Sequence, residues 1–395
     1  MTREPLDSPA ARIRSPRILE VLYSFRIGGS EVVGLELAHQ LARSGAEVMC
    51  TALDGMTGPL REKCAELGLG VVDLQLPASN ILGRNGVSLA LLMRLKALRL
   101  DAIHLQHFVA LNKLGLAARL AHIRRIVVTE HSEAQLRQSF AGRLRLRLNW
   151  RLAHSITVIH DGLKRYLVDE LRIPSSRIVV IPNGIDLDHW QRDDRAERRS
   201  TLGLGSEFVF AYVGRLEPVK QVPALISAFL VAQSRLSQPA RLIIVGDGAD
   251  LPKCRSLLTG KPFADTVRFL GEQRDPRQYL AAADAFVLNS LSEGTPRALL
   301  EAMSMGLPAV CTAVGGVPEM LQGHGWLTLA GNSESVVSAL LEAARDPIRA
   351  RTLGAQAKAF VSASYDAHAV LRRYQFQLLD GLQMTPGRAV SGSSS

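Results

Sequence analysis

AFVLNS (285–290) followed by SEGTPRALLEAMSMG (292–306) reads as a short apolar strand, a tight turn and a helix. Glu293-Gly294 makes the turn, Thr295 is an N-cap by residue type, and Pro296 falls at the first helical position, where a missing N–H costs nothing. The helix then runs through ALLEAM toward Gly306. At ~100° per residue, Glu301 lies ~80° around from a helical position 293, so both carboxylates are expected to face one cleft. Between them lie the unpaired amides of a helix N-terminus, a seat for phosphate. Carboxylates that accept from sugar hydroxyls, beside amides that donate to phosphate, point to a nucleotide-sugar site.

The same strand–turn–helix grammar extends in both directions. RILEVLYS (17–24) is a buried strand, FRIGGS a glycine turn, and EVVGLELAHQLARSG (31–45) a helix stopped by Gly45. Further strands are predicted at 46–52, 70–76, 101–107, 124–130, 155–160 and 177–181, with helical stretches between most of them. A second series follows at 207–214, 240–248, 266–271, 285–290, 308–313 and 325–329, and helical stretches at 333–345 and 347–382 close it. Strands alternating with helices of this size predict βαβ units and parallel sheets. The expected architecture is α/β, with two Rossmann-like domains facing a central cleft. Residues 1–16 are expected to be disordered and 17–186 to form the first domain. The polar, glycine-punctuated run 187–205 is the predicted linker, 206–364 the second domain, 365–382 a terminal helix and 383–395 a disordered tail.

With 395 residues the chain is long enough for two such cores. The four cysteines form no CxxC pair and sit in apolar segments, which argues against a disulfide framework or zinc site and for a reducing cytoplasm. MTREPLDSPAARIRSPR has no apolar core of a signal peptide, and no apolar stretch approaches the length of a membrane span. Residues 1–185 carry 25 Lys+Arg against 16 Asp+Glu, or +9; the remaining residues carry 22 against 21, or +1. A basic first half fits an anionic partner: a membrane surface or a diphosphate-linked acceptor. Nucleic acid fits poorly, because aromatics are only 5% and no aromatic-basic interleaving occurs.

Several residues at predicted strand ends could carry chemistry. Gly28-Gly29 stands at the switch-point position, where a phosphate or sugar can approach the backbone; a plain tight turn reads the same way. No GxGxxG follows this strand and no P-loop occurs, which weighs against a dehydrogenase or nucleotide hydrolase. GRLEPVK (214–220) occupies the matching position in the second series, so that Arg215 and Lys220 could neutralise a diphosphate. VGDGADL (245–251), with Gly246, lacks the third glycine of a dinucleotide fingerprint and reads as a helix-entry turn lining the cleft. His131 ends a strand and is a candidate for substrate contact, with Glu130 as an inward-packed or hydrogen-bonded partner. Asp186 and Asp188 mimic a metal-binding DxD but follow an Asn-Gly turn, where solvated or capping roles are the simpler reading. In AGRLRLRLNWRL (141–152), Arg143, Arg147 and Arg151 form a basic stripe beside an apolar one of Leu144, Leu148 and Leu152. Such a helix can lie on anionic lipid or pack on its own sheet.

Taken together, GGSEVVGLELA (28–38), VIPNGID (180–186), VGRLEPVK (213–220), VGDG (245–248), VRFLG (267–271) and EGTPRALLEAMSMGLPAVCTAVGGVPEML (293–321) resemble the retaining glycosyltransferases of family 4, which have the GT-B fold. The resemblance implies that Arg215, Lys220 and the amides near Arg297 and Ala298 hold a donor diphosphate. It implies that Glu301 binds the ribose, that Glu293 contacts the transferred sugar, and that Gly28, Gly29 and Gly246 line the donor site. His131 matches the histidine that lies near the sugar and assists catalysis. Segment 268–274 would form the base pocket, the terminal helix would cross back to the first domain, and acceptor contacts would fall at 54–60, 77–87 and 132–142. Arg297 is larger than this position requires and could add an anionic contact.

The activity implied is transfer from a nucleoside-diphosphate sugar to a glycan or polyprenyl-diphosphate-linked acceptor. Configuration would be retained, with no metal and no cofactor. The setting implied is bacterial surface or exopolysaccharide assembly, cytoplasmic or peripheral on the inner face of the membrane. Two alternatives stay open: a sucrose-phosphate-synthase-like transferase with a small soluble acceptor, and a non-catalytic nucleotide-sugar-binding subunit.

Overall fold

The computed structural model describes residues 14–76, 88–132, 136, 140–191 and 194–380. Most of the predicted disordered ends and the 77–87 acceptor loop lie outside them, as does much of 132–142.

Seven strands make the first sheet: β1 (Arg17–Leu22), β2 (Glu47–Ala52), β3 (Gly70–Val71), β4 (Ala102–Gln106), β5 (Arg125–Glu130), β6 (Ser155–Val158) and β7 (Ile178–Val180). Six make the second: β8 (Phe208–Val213), β9 (Ala240–Val245), β10 (Val267–Gly271), β11 (Ala285–Leu288), β12 (Ala309–Thr312) and β13 (Gly325–Thr328). All pairings are parallel, in the orders β3-β2-β1-β4-β5-β6-β7 and β10-β9-β8-β11-β12-β13. Runs such as FVFAYV and AFVL are buried along almost their whole length because helices cover both faces of a parallel sheet. The strand order reverses between β1 and β4 in one sheet and between β8 and β11 in the other. Each reversal opens a crevice beyond the strands' carboxyl ends, which is where this architecture binds ligands.

The helix after β1 runs Gly29–Arg43, two residues earlier than predicted at its start, and Gly45 follows it at φ 99. The strand predicted at 70–76 is pared to Gly70–Val71, because beyond Val72, whose N–H reaches Cys50 O at 2.9 Å, the chain leaves the sheet edge. The stretch 187–205 carries a helix, Arg195–Thr201, fastened to the second domain by Arg199, whose guanidinium donates to Gly205 O, Glu207 O and Ala282 O.

The helical stretch predicted over 347–382 is two helices, Pro347–Ser364 and Ala367–Leu379. Between them Ile185 and Asp366 form a parallel bridge, with Ile185 N–H donating to Tyr365 O and Ala367 N–H to Ile185 O. The two passages of the chain between domains are thus hydrogen-bonded to each other. Helix Ala367–Leu379 then docks on the first domain, burying Val370, Leu371, Tyr374, Leu378 and Leu379 in one cluster with Ile18, Leu22 and Leu41.

Candidate active site

The helix predicted after β11 runs Arg297–Ser304, and Pro296 rather than Thr295 is its N-cap. Thr295 is turned away: its hydroxyl reaches Ile159 O of the first domain at 3.5 Å. The first amides of the helix have no side-chain cap. Glu293 is therefore a turn residue, and the helical construction that aligned it with Glu301 does not apply. Its carboxylate accepts from Lys220 Nζ at 2.6 Å and from Ser290 Oγ at 2.5 Å, and Thr312 Oγ1 in turn donates to Ser290 O at 2.6 Å. Lys220 ends the turn after β8, so the strands flanking the second crevice each supply one member of this ion pair.

Arg297 does not stand free for an added anion. Its Nη1 and Nη2 fork onto both carboxylate oxygens of Glu36, on the first domain's helix Gly29–Arg43, at 2.8 Å each. Its Nε donates to Glu301 Oε1 at 2.9 Å. Burial opposes the charge on Arg297, but the Glu36 and Glu301 carboxylates outweigh it and shift the guanidinium further up. Burial pushes the Glu301 carboxyl up, against the pull of Arg297 and with a further push from Glu36 and Asp275.

The glycine turns explain how the loops can sit this close. A Cβ on Gly246, which has φ 140, would stand 1.9 Å from Gly214 O, so the turns after β8 and β9 pack backbone to backbone. A Cβ on Gly315 would meet Glu293 O at 1.7 Å. Arg215 is exposed, with Tyr212 Oη donating to its carbonyl at 2.8 Å. In the 268–274 segment, Arg268 points away to Leu202 O, and Gln273 Nε2 donates to Leu270 O.

On the first-domain side, Gly28 is the N-cap of its helix, and the space a Cβ would take there is filled by Glu31 Oε2, 2.2 Å from that position. The expectation that Gly28 leaves open backbone for phosphate thus meets a carboxylate beside it. His131 is buried, with Nε2 2.5 Å from Gln106 Oε1. Burial holds its imidazole well below the usual range, and His107 and His104 add to this. Glu130 is both packed inward and hydrogen-bonded: its carboxylate accepts from His107 Nδ1 and from the backbone amides of Phe108, His131 and Ser132. Burial pulls the His107 imidazole down, but the Glu130 carboxylate outweighs it and the net direction is up.

The domains meet at these loops. A Cβ on Gly294 would stand 2.6 Å from His131 O, and Glu319 accepts from the Asp161 and Gly162 amides that open helix Asp161–Asp169. His131, Glu293, Lys220, Arg297 and Glu301 are thereby gathered along one interdomain cleft. Asp186 and Asp188 are not part of it: Asp186 Oδ1 accepts from the amides of Asp188 and His189 in a local turn. Among the described residues no group of three His, Cys, Asp or Glu is arranged to hold a metal.

Sequence reasoning passed over Gln106-His107, Glu31, Glu36 and Glu319. For the first pair a signal existed, since IHLQHF puts polar residues at the carboxyl end of β4, beside the crevice.

The sequence model for Glycosyltransferase Family 4 matches residues 27–189, and that for Glycosyl transferases group 1 matches 193–360. An N-acetyl-alpha-D-glucosaminyl L-malate synthase of Bacillus anthracis is 25% identical over 90% of this chain and 95% of its own. The UDP-Gal:alpha-D-GlcNAc-diphosphoundecaprenol alpha-1,3-galactosyltransferase of Escherichia coli is 30% identical over 64% of this chain and 69% of its own. Among solved structures, Anabaena HepE in complex with UDP superposes with a TM-score of 0.78 at 21% identity, covering 91% of this chain and 98% of that one. A sucrose-phosphate synthase from Thermosynechococcus elongatus gives 0.70 at 21% identity, covering 91% and 97%. Two parallel Rossmann-like sheets, the crossing helix and these matches identify the chain as a member of glycosyltransferase family 4 with the GT-B fold.

Proposed function

We propose that the protein transfers a sugar from a nucleoside-diphosphate sugar to a hydroxyl of a glycan acceptor, with retention of configuration and without a metal. The observation that carries this reading is the Lys220–Glu293 ion pair beside the uncapped amides of helix Arg297–Ser304. A diphosphate entering the cleft offers Lys220 a stronger partner, and Glu293 is released toward the sugar hydroxyls. The acceptor oxygen then attacks the anomeric carbon from the face that the diphosphate leaves. As the C–O bond to the donor breaks, its electron pair goes to the diphosphate, whose phosphate oxygen takes the acceptor's proton. Lys220, Arg215 and the helix amides neutralise the leaving group, the task a metal performs elsewhere. Closure of the domains over His131 excludes water. UDP in the Anabaena structure favours a nucleoside-diphosphate donor.

A polyprenyl-diphosphate-linked acceptor is the acceptor class we favour, with the protein peripheral on the cytoplasmic face of a membrane during surface or exopolysaccharide assembly. The E. coli relative acts on a diphosphoundecaprenol-linked sugar. In this chain the adjacent helices Leu89–Ala97, Phe108–Leu120 and Phe140–Asn149 expose Leu89, Met93, Leu116, Leu120, Leu144 and Leu148. Residues 74–100, 102–129 and 134–160 contain no Asp or Glu, so this apolar face is flanked by one sign of charge. Of the predicted apolar stripe, Leu144 and Leu148 face outward on the third helix, while Leu146 is buried. No helix among the described residues is long and apolar enough to cross a membrane. The L-malate conjugate made by the Bacillus anthracis relative keeps a small soluble acceptor as the second reading.

A screen of UDP-, GDP- and ADP-sugars by mass spectrometry, scoring both transfer and hydrolysis, tests the reaction. Each donor is offered with soluble sugars and with polyprenyl-diphosphate glycans in anionic vesicles. Turnover with some donor in wild type and its loss in Lys220→Ala is expected. Binding without turnover for every donor would leave the non-catalytic reading standing.

A further inference from the structure

Beneath His131 lies a chain of buried polar side chains that the reaction above does not use. Gln106, the last residue of β4, places its amide between His131 and Glu20 of β1: Oε1 is 2.5 Å from His131 Nε2, and Nε2 is 2.6 Å from Glu20 Oε1. The other oxygen of Glu20 is 2.8 Å from His104 Nδ1, and His104 Nε2 is 2.6 Å from Thr129 Oγ1. Glu20, Gln106 and His104 are each less than 3% exposed. Helix Gly29–Arg43 makes room for them with a glycine: a Cβ on Gly34 would meet Gln106 Nε2 at 3.0 Å and Glu20 Oε1 at 3.1 Å. A mid-helix glycine costs about 1 kcal/mol relative to alanine, so this space is held at some expense.

The polarity of this chain has one self-consistent assignment. A carboxylate only accepts, so the amide end facing Glu20 must be the NH2 group. The end facing His131 is then the carbonyl oxygen, which also only accepts. His131 Nε2 must therefore carry the proton. The opposite amide orientation would set two acceptors 2.6 Å apart inside the sheet. We propose that Glu20 and Gln106 are positioning residues that lock His131 in the Nε2–H tautomer, so that the ring meets a substrate hydroxyl as a hydrogen-bond acceptor through Nδ1. The tautomer is set by a partner on the far nitrogen, as in other functional histidines, but here an amide carries the carboxylate's polarity across one residue. The consequence for turnover rests on the glycosyl-transfer reading; the lock itself does not.

The test is long-range 1H–15N NMR of the full chain labelled with 15N-histidine, the His131 signals being assigned by their loss in His131→Asn. Wild type is expected to show His131 protonated at Nε2 and bare at Nδ1, and Gln106→Met to show a mixture or the reverse. In the donor assay, Gln106→Met should lower kcat by about 10–100-fold, the usual cost of losing a partner that orients a functional histidine. Donor KM should stay within about twofold of wild type, because only uniform binding would move it. The double variant Glu20→Gln with Gln106→Glu exchanges amide and carboxylate while preserving the polarity. The amide now on β1 accepts from His104 and donates to the carboxylate now ending β4, which in turn accepts from His131. This variant should recover both the tautomer and most of kcat, which general loosening of the sheet would not do. A proton on Nδ1 in wild type, or unchanged tautomer and kcat in Gln106→Met, would overturn the proposal. If no donor supports turnover, the NMR result still decides the lock while the transferase reading fails by itself.

Discussion

In the second domain the strands bury almost nothing but hydrocarbon: Val209, Phe210, Ala211, Ile243, Ile244, Phe286 and Val287 are all within 1% of full burial. The buried polar residues on its strands, Thr312 and Thr328, close β12 and β13, and Ser290 lies just beyond β11. In the first domain the strands themselves hold Glu20, His104, Gln106, Thr129 and Thr157, with Tyr374 Oη of the crossing helix 3.5 Å from Thr129 Oγ1. The second domain hangs its chemistry on loops and the first turns of one helix over an inert sheet, so Lys220, Glu293 and Glu301 can be altered without touching the strands. The first domain runs its polar groups through the sheet, so changes there should register in stability and activity together.

The largest expected effect falls on the polar sheet. Glu20→Leu leaves the donors of His104 and Gln106 without their acceptor and should cost about 3–5 kcal/mol of stability, read as a lower urea midpoint at unchanged m. A midpoint equal to wild type would erase the contrast between the domains. Next, Lys220→Ala and Glu301→Ala should each lower kcat/KM by about 10²–10³-fold, some 2.7–4 kcal/mol of transition-state stabilisation, with little change in melting temperature. Comparable losses of stability in those two variants would show that the site is not independent of the sheet beneath it.

A smaller effect is expected from Arg297→Ala, which frees Glu301 but removes the fork to Glu36. We expect donor affinity to change by about tenfold or less, since part of the contact is exposed and screened. Calorimetry with the nucleoside diphosphate measures it. The smallest is a pH effect at His107–Glu130. The imidazole is raised in the folded state, so its stabilisation is complete below the unfolded value of about 6.5 and fades as pH rises through the folded one. The Glu130 carboxyl is pushed up by burial, but His107 and the backbone amides outweigh this and the net direction is down, so its share fades toward acid. Urea midpoints of wild type and His107→Asn should therefore differ most near pH 5–6.5 and converge above it.

The sheets, the crossing helix and the cleft were legible because their signals are local. Glycine and proline punctuate strand–turn–helix units, and Gly45 and Pro296 fall within a residue or two of the helix ends they imply. What escaped was decided across the gap between domains. Thr295 is a good cap by type, yet its hydroxyl is drawn to Ile159 O. Arg297 looks free in sequence because Glu36 is 261 positions away. The stripe of Leu144, Leu148 and Leu152 has helical spacing, but the helix ends at Asn149, and Leu146 is buried while Leu144 and Leu148 are exposed. Periodicity finds an apolar face; it does not say which side of that face will be covered.

The crossing helix also imposes an order on synthesis. Helix Ala367–Leu379 leaves the ribosome after every strand of the second domain, yet Val370, Tyr374 and Leu378 belong to one apolar cluster with Ile18 and Leu22 of β1. Until it arrives, the nascent first domain exposes that apolar cluster, a state prone to aggregation. Maturation of the first lobe is thus coupled to synthesis of the second, well beyond its own boundary.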